Sequence, residues 1–184
     1  MTNNSIDVVA HHQLTTVDLS RLARLFDGEY LGGFGEWNPE QPYGYAAHGV
    51  HIVARIGDRI VGHVGWARRR ITVGDAVVTI AGVGGVLISA DGRGRGLGAE
   101  LMSRAAQSMR ERGDIEFGYL GCREEVVPFY ASCGWSRIHV GEQSIGRHGE
   151  AVHESPGSPI LVLPIAAPLE SWPSGDVDLR GRAW

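Results

Sequence analysis

The segment Asp91-Gly92-Arg93-Gly94-Arg95-Gly96-Leu97-Gly98 alternates glycine with charged or bulky side chains, just after an apolar run that ends in Val86-Leu87-Ile88. A strand that delivers the chain into such a loop, followed directly by a helix, gathers unpaired backbone N–H groups at the positive end of the helix dipole. That arrangement suits a diphosphate. Glycines let the main chain approach phosphate oxygens, and Arg93 or Arg95 can add charge-assisted hydrogen bonds. The alternative is a glycine-rich helix entry with solvated arginines. A dinucleotide fold would place the loop after its first strand, with an acidic residue about 20 positions on. Here three strand-like runs precede it, and there is no P-loop Gly-Lys-Ser/Thr.

Other groups that could move protons are scattered. Glu36 and Glu40 lie in a stretch rich in glycine, proline and aromatics, Glu116 opens a later strand, and His153 and Glu154 sit in a late polar segment. Each is equally readable as a solvated surface group. Cys122 could imitate a nucleophile, but free cysteines commonly serve as packing residues, and the sequence names no histidine partner for it. Cys122 and Cys133 form neither a metal-ligand pattern nor a disulfide framework. The eight histidines include the pair His11-His12, yet none has a helical i, i+4 spacing with a third ligand, so no metal is expected.

The elements that must hold these groups follow from periodicity. Residues 6–10 alternate as a first strand, and Thr15-Thr16-Val17-Asp18 offers capping residues before apolar positions at helical spacing, predicting a helix over 16–27. Residues 28–48 follow neither period and are expected to form a long functional loop. Strands over 50–56, 59–73 and 76–89 are separated by Gly57-Asp58 and Gly74-Asp75, the signature of antiparallel hairpins. A helix over 96–112 presents Leu97, Leu101, Ala105 and Met109 on one face. A strand over 116–121, a helix over 124–132 and a strand over 135–140 come next. Residues 141–158 are expected as a polar loop, 160–165 as the last strand, and 166–184 as a tail without strong period. Antiparallel strands that give way to a strand, a glycine-rich turn, a helix and another strand define a mixed α/β fold with helices on the faces of its sheet.

Composition limits the partners. The 184 residues suffice for one sizeable core and predict a single domain. Apolar residues at 43% and charged residues at 21% exclude wholesale disorder. With 17 basic against 21 acidic side chains and no basic block longer than Arg68-Arg69-Arg70, a nucleic-acid-coating surface is not expected. The first residues lack the basic and apolar regions of a signal peptide, and no apolar run approaches the ~20 residues needed to span a bilayer. A cytoplasmic protein that binds neither nucleic acid nor membrane is the expectation.

The glycine loop resembles that of the GNAT N-acetyltransferases, whose motif Arg/Gln-x-x-Gly-x-Gly/Ala follows the fourth strand; Arg93, Gly96 and Gly98 match it. The order of predicted elements is similar over nearly the whole chain. The resemblance implies a central mixed, mostly antiparallel sheet splayed between strands 4 and 5, with helices on both faces. It implies acetyl-CoA as co-substrate, its pantetheine paired along Val86, Leu87 and Ile88 and its diphosphate held by Arg93, Gly94, Arg95, Gly96, Leu97 and Gly98. Gly84-Gly85 is then plausible as the bulge that opens the sheet.

A narrower resemblance is carried by Phe129-Tyr130-Ala131-Ser132-Cys133-Gly134-Trp135, which is similar to a segment of the aminoglycoside 2′-N-acetyltransferases. Arg68-Arg69-Arg70-Ile71, Leu161-Val162-Leu163-Pro164-Ile165 and the terminal Trp184 resemble theirs as well. Two departures stand out: Gly84 occupies the place of a fourth-strand glutamate, and Arg182 that of an aspartate which contacts the antibiotic. Fewer carboxylates there imply an aminosugar of low positive charge, of which kasugamycin is one candidate, with antibiotic resistance as the outcome.

An amine attacks a thioester only when neutral, and the thiolate must be protonated as the intermediate collapses. In the family this proton comes from a tyrosine, which the resemblance places at Tyr130, and a backbone N–H near Val86 or Ile88 polarises the thioester carbonyl as an oxyanion donor. Substrate contacts are expected from Glu36, Trp37, Gly84, Gly121, Cys122 and Trp184, within walls formed by 28–48, 121–123, 141–159 and the C-terminal segment. Two further readings stay open, a GNAT acting on another small amine or a protein amine, and a non-catalytic acyl-CoA sensor. A homodimer is the expected assembly.

Overall fold

The computed structural model describes residues 4–184. Its strands are β1 (Asn4–Ala10), β2 (Val50–Ile56), β3 (Arg59–Val73), β4 (Ala76–Ile88), β5 (Phe117–Gly121), β6 (Ser136–Ile138), β7 (Glu142–Ile145), β8 (Ala151–Glu154), β9 (Ile160–Pro164) and β10 (Val177–Arg182). The α-helices are α1 (Thr16–Phe34), α2 (Leu97–Arg112) and α3 (Val127–Ser132). The strands form one mixed sheet in the order β6-β9-β5-β4-β3-β10-β7-β8, and β2, paired to β1, lies against the opening stretch of β3. β3 is long enough to serve two neighbours on one edge: Arg59 to Trp66 pair with β2, and Thr72 and Val73 pair with β10.

The helices cover opposite faces because successive side chains in a strand point to opposite sides. Ile52, Ala54, Val64 and Trp66 meet Leu101, Met102, Ala105 and Met109 of α2. Val53, Ile60 and Leu87 meet Leu22, Leu25 and Phe26 of α1. Each such aliphatic side chain contributes about 1.5–3 kcal/mol on full burial. α2 approaches closely: a Cβ on Gly62 would lie 2.8 Å from Leu101 Cδ1. Within this layer the Trp66 indole N–H donates to Ser108 Oγ at 2.9 Å.

Three expectations from the sequence require correction. α1 does not stop at 27 but runs to Phe34, and ends where Gly35 takes φ 79°. Gly28, Gly32 and Gly33 cost only propensity, about 1 kcal/mol each, while Tyr30 and Phe34 gain an edge-to-face contact with ring centroids 6.0 Å apart. Residues 141–158 are not a loop throughout, since β7 and β8 pair antiparallel from Glu142 opposite Glu154 to Ile145 opposite Ala151. The tail also contains β10, so 160–165 is not the last strand. β10 alternates only through Val177, Asp178 and Leu179 before Arg180 turns to φ 52°. That pattern is too short to show in sequence, and its partners β3 and β7 are distant in the chain. Among the described residues no helix is long and apolar enough to cross a membrane.

Candidate active site

The sheet opens where the sequence turns glycine-rich. β4 and β5 pair in parallel only at Ile80 with Phe117, Ala81 with Gly118 and Gly82 with Tyr119. Past Gly82, β4 continues to Ile88 without β5 beside it, and β5 pairs instead with β9 through Gly121. The two strands therefore splay. On its other edge β4 is bulged: Gly84 faces Gly65 and Leu87 faces His63, so Gly85 and Val86 together oppose Val64. Gly85 adopts φ 59°, a left-handed conformation that a Cβ would strain.

A cleft of about 340 Å³ lies at this seam, within the range of small-molecule sites. Val83, Gly84, Gly85 and Val86 form its floor; Phe26, Tyr30, Phe34 and Tyr43 form one wall, and Leu120, Gly121, Cys122 and Tyr130 the other. Arg123 is the one charged side chain in the lining, which holds no Asp or Glu side chain; the main-chain carboxyl carbon of Trp184 lies beside Gly84, 2.9 Å from where a Cβ would be. The walls are built from α1 and its following turn, where Tyr43 packs edge-on against Tyr30 at 5.6 Å, and from α3, where Tyr130 packs between Phe129 and Trp135. Burial raises the phenol of Tyr43 to about 12 and pushes that of Tyr130 higher still, so both stay protonated. The same desolvation raises the Cys122 thiol, which removes it as a ready nucleophile.

Trp184 closes the cleft beside Gly84. Its indole lies over Gly82, where a Cβ would fall 2.2 Å from Cε3, and a Cβ at Gly84 would lie 3.0 Å from the Trp184 Cβ. A glutamate at position 84 is thus excluded by the tryptophan. Arg69 covers the outer ring face at 3.8 Å and donates to the carbonyls of Arg182 at 2.7 Å and Leu179 at 3.2 Å, fixing the segment that carries Trp184. Arg182, at the place where the resemblance expects an aspartate, donates to the carbonyls of Gly44 at 2.9 Å and Gly146 at 2.7 Å. It fastens the loop after α1 rather than facing the cleft.

At the end of β4, Arg93 donates from Nε to the Ile88 carbonyl at 3.1 Å and reaches Glu29 Oε2 at 3.2 Å. Gly94 and Gly96 take φ 73° and 75°, and Gly96 caps α2 without any side-chain acceptor. The first α2 backbone bond is Glu100 N–H to Gly96 O, which leaves the N–H groups of Leu97, Gly98 and Ala99 available to an anion. Gly98 lets α2 pass α3, since a Cβ there would be 3.2 Å from the Phe129 ring. Arg95 is exposed and makes no side-chain ion pair among the described residues.

The remaining candidates are dispersed. Glu36 is exposed and outside the lining. Trp37 is buried and stacks on Phe26, with ring centroids 5.0 Å apart, so it belongs to the core. Glu116 accepts from the Thr79 N–H at 2.6 Å. His153 and Glu154 lie on β8, beside a different groove. Glu40 meets His11 Nε2 at 3.1 Å.

Behind the bulge lies a cluster that sequence reasoning missed. His11 Nδ1 meets His51 Nε2 at 3.0 Å, His51 Nδ1 meets His63 Nε2 at 2.9 Å, and His63 Nδ1 donates to the Gly85 carbonyl at 2.7 Å. His48 lines the cleft, and its Nε2 is buried without a partner. Burial lowers the imidazoles of His48, His51 and His63 to about 3, keeping them neutral. The absence of helical spacing gave no reason to expect a metal, yet the fold brings nitrogens of these three within 4.8 Å of one another. The facing nitrogens of His51 and His63 already satisfy each other. The available signal was faint: His51 and His63 interrupt otherwise apolar strands.

A family model described as nodulation protein A (NodA) matches residues 6–182. A comparison with curated proteins finds no match. Among solved structures the chain is similar to YhbS, a GNAT-family N-acetyltransferase from Escherichia coli in complex with CoA, at 15% identity over 97% of this chain and 91% of that one, with a TM-score of 0.64. It is similar to ElaA of Escherichia coli at 17% identity over 88% of this chain and 99% of that one, with a TM-score of 0.62. A GNAT-family acetyltransferase from Brucella melitensis in complex with acetyl-CoA shares 14% identity over 94% of each chain, with a TM-score of 0.59. The fold is that of the GNAT enzymes.

Proposed function

The chain belongs to the nodulation protein A (NodA) family, a family of acyltransferases, and from that premise we propose that it transfers the acetyl group of acetyl-CoA to the amino group of a small, weakly charged acceptor. The observation that carries this reading is the aromatic cleft without Asp or Glu side chains at the open β4–β5 seam, with Tyr130 on one wall and the β4 bulge as its floor.

Acetyl-CoA would extend along Val86, Leu87 and Ile88, with its diphosphate at the N–H groups of Gly94 to Gly98 and the charges of Arg93 and Arg95. The acceptor would occupy the cleft between Tyr30, Phe34 and Trp184, whose faces suit a ring. A lining without Asp or Glu side chains offers an ammonium ion few partners and favours the free amine, the form that can attack. Attack forms the C–N bond and places negative charge on the carbonyl oxygen, where the Val86 N–H would hydrogen-bond it. The C–S bond then breaks, Tyr130 protonates the leaving thiolate, and the nitrogen gives up its proton, leaving amide and free thiol. That proton leaves to water at the open side of the cleft, because burial lowers His48 to about 3 and makes its imidazole too weak a base to receive it.

The same lining bears on the acceptor. A polycationic aminoglycoside would meet no Asp or Glu side chain in the lining, whereas an aminosugar of low charge such as kasugamycin fits the charge of the cleft; resistance to such an antibiotic is the finer form of the proposal. Thiol release from acetyl-CoA, measured with aminoglycosides, kasugamycin, polyamines, arylalkylamines and peptides, tests it. Turnover with low-charge ring amines is expected. Turnover with peptides or polyamines alone would reject the acceptor class, and calorimetry that detects no acetyl-CoA binding would remove the donor. Binding without turnover on any amine would favour an acyl-CoA sensor.

A further inference from the structure

The hydrogen-bonded series Glu40–His11–His51–His63 ends on the Gly85 carbonyl, and we infer that it is a brace that sets the Gly85–Val86 peptide plane and thereby aims the Val86 N–H as oxyanion donor. His11, His51 and His63 are then positioning residues for acyl transfer, an inference that rests on the acyltransferase reading above.

The chemistry of the terminal contact decides the direction of the whole series. A carbonyl only accepts, so His63 Nδ1 carries its hydrogen and Nε2 presents a lone pair. His51 Nδ1–H must therefore donate to His63, and His51 Nε2 must accept from His11 Nδ1–H. Every tautomer is fixed from the bulge outward. For the fourth contact, His11 Nε2 must carry hydrogen as well to donate to Glu40 Oε1, so this end of the series is an ion pair of an imidazolium with the carboxylate at the surface, where the side chains are 29% and 75% exposed. His51 and His63 are fully buried, and Phe26 packs edge-on against the His63 ring at 5.1 Å, so the rings have no room to swing.

What the series holds is the one peptide that the ladder leaves unpaired. Gly85 and Val86 oppose a single residue of β3, and Gly85 is in the left-handed region. Among the described residues no peptide bond is cis, and in a trans peptide the C=O and the following N–H point in opposite directions. Drawing the Gly85 oxygen to His63 behind the sheet therefore turns the Val86 N–H away from the histidines. Val86 and Tyr130 border the same cleft. A Cβ on Gly85 would lie 3.1 Å from His63 Nδ1, so glycine also lets the ring approach. A proton relay would have to end on a group that exchanges hydrogen, and a carbonyl does not; His48, which borders the cleft, stands outside the series.

Two variants and one spectrum test the brace. His63→Asn retains an amide donor near the position of Nδ1, and His63→Leu removes it at similar volume. Loss of one oxyanion donor costs roughly 10²–10³-fold in kcat. The expected result is a fall of about that order in kcat for His63→Leu with KM for acetyl-CoA little changed, and recovery of most of it in His63→Asn. Equal loss in both folded variants, or none in His63→Leu, overturns the brace. Nitrogen-15 NMR of the wild-type imidazoles reads the tautomers without any turnover, including where a variant does not fold or where no acceptor amine is found. Nδ1–H forms of His51 and His63 are expected. An Nε2–H form at either ring, or stoichiometric zinc in the purified protein with His48, His51 and His63 as ligands, overturns it.

Discussion

Tyr130 is suited to the acid role because its environment holds the hydroxyl protonated without engaging it. Its ring is buried against Phe129 and Trp135, and no charged partner draws the proton away. Removing only the oxygen should spare binding and slow the step that needs a proton. For Tyr130→Phe we expect kcat to fall by about 10²–10⁴-fold with acetyl-CoA affinity by calorimetry unchanged; unaltered kcat would end the assignment. Trp184 is proposed to act on the acceptor side. Trp184→Ala removes the ring that lies over Gly82, so KM for the amine should rise several-fold, a loss of about 0.5–1.5 kcal/mol of aromatic contact, while KM for acetyl-CoA holds. A change confined to acetyl-CoA would place the tryptophan wrongly. The sequence named Tyr130, Gly84 and Trp184 through their resemblance. It also named Glu36 and Trp37, which the fold directs to solvent and core, because a residue's type and neighbours do not tell which way it faces in an aperiodic segment.

Among the elements, α1 supplies an entire wall of the cleft, and its first turn fixes where it starts. Thr15 Oγ1 accepts the Asp18 N–H at 3.1 Å, and Asp18 Oδ2 accepts the Thr15 N–H at 3.1 Å. Asp18 is also bound by Arg55 of β2 at 2.8 Å, so the cap joins helix to sheet. Thr15→Ala should cost about 1 kcal/mol, read as a lower urea midpoint with unchanged slope. The hydrogen bond from the Thr15 side chain is the largest of the causes that hold Asp18 near 2, below its ordinary 3.8. A lowered carboxylate stabilises the fold above its unfolded value and loses that contribution as pH falls through 3.8 toward 2. The capping pattern and the 3.6-residue period made the start of α1 legible. Its end was not, because three glycines suggest a break where aromatic packing against Tyr43 continues the helix. β7, β8 and β10 were likewise hidden: strands of four to six residues leave too short a period to detect, and β10 adds partners distant in the chain.

Across the whole molecule, the buried histidines couple the site to stability. His48, His51 and His63 are depressed, by burial first, to about 3 from an ordinary 6.5. Folding therefore keeps them neutral while the unfolded chain takes up protons below 6.5. The stabilisation is complete above pH 6.5 and is lost as pH falls from there toward 3. A thermal midpoint that declines across that window in wild type, and declines less in His48→Phe, is the expected outcome; parallel curves would deny that His48 is buried neutral.

The sequence by itself determined the glycine loop, the helix behind it, the hairpins before it and the class of fold, because each is written in neighbouring residues as turn chemistry and period. Only the tertiary structure decided the rest. The opening of β4 from β5, the aromatic cleft, the tryptophan folded over Gly82 and the three histidines in series each join residues far apart in the chain. What brings such residues together is burial and hydrogen-bond satisfaction summed over the whole core, and no local pattern records that sum.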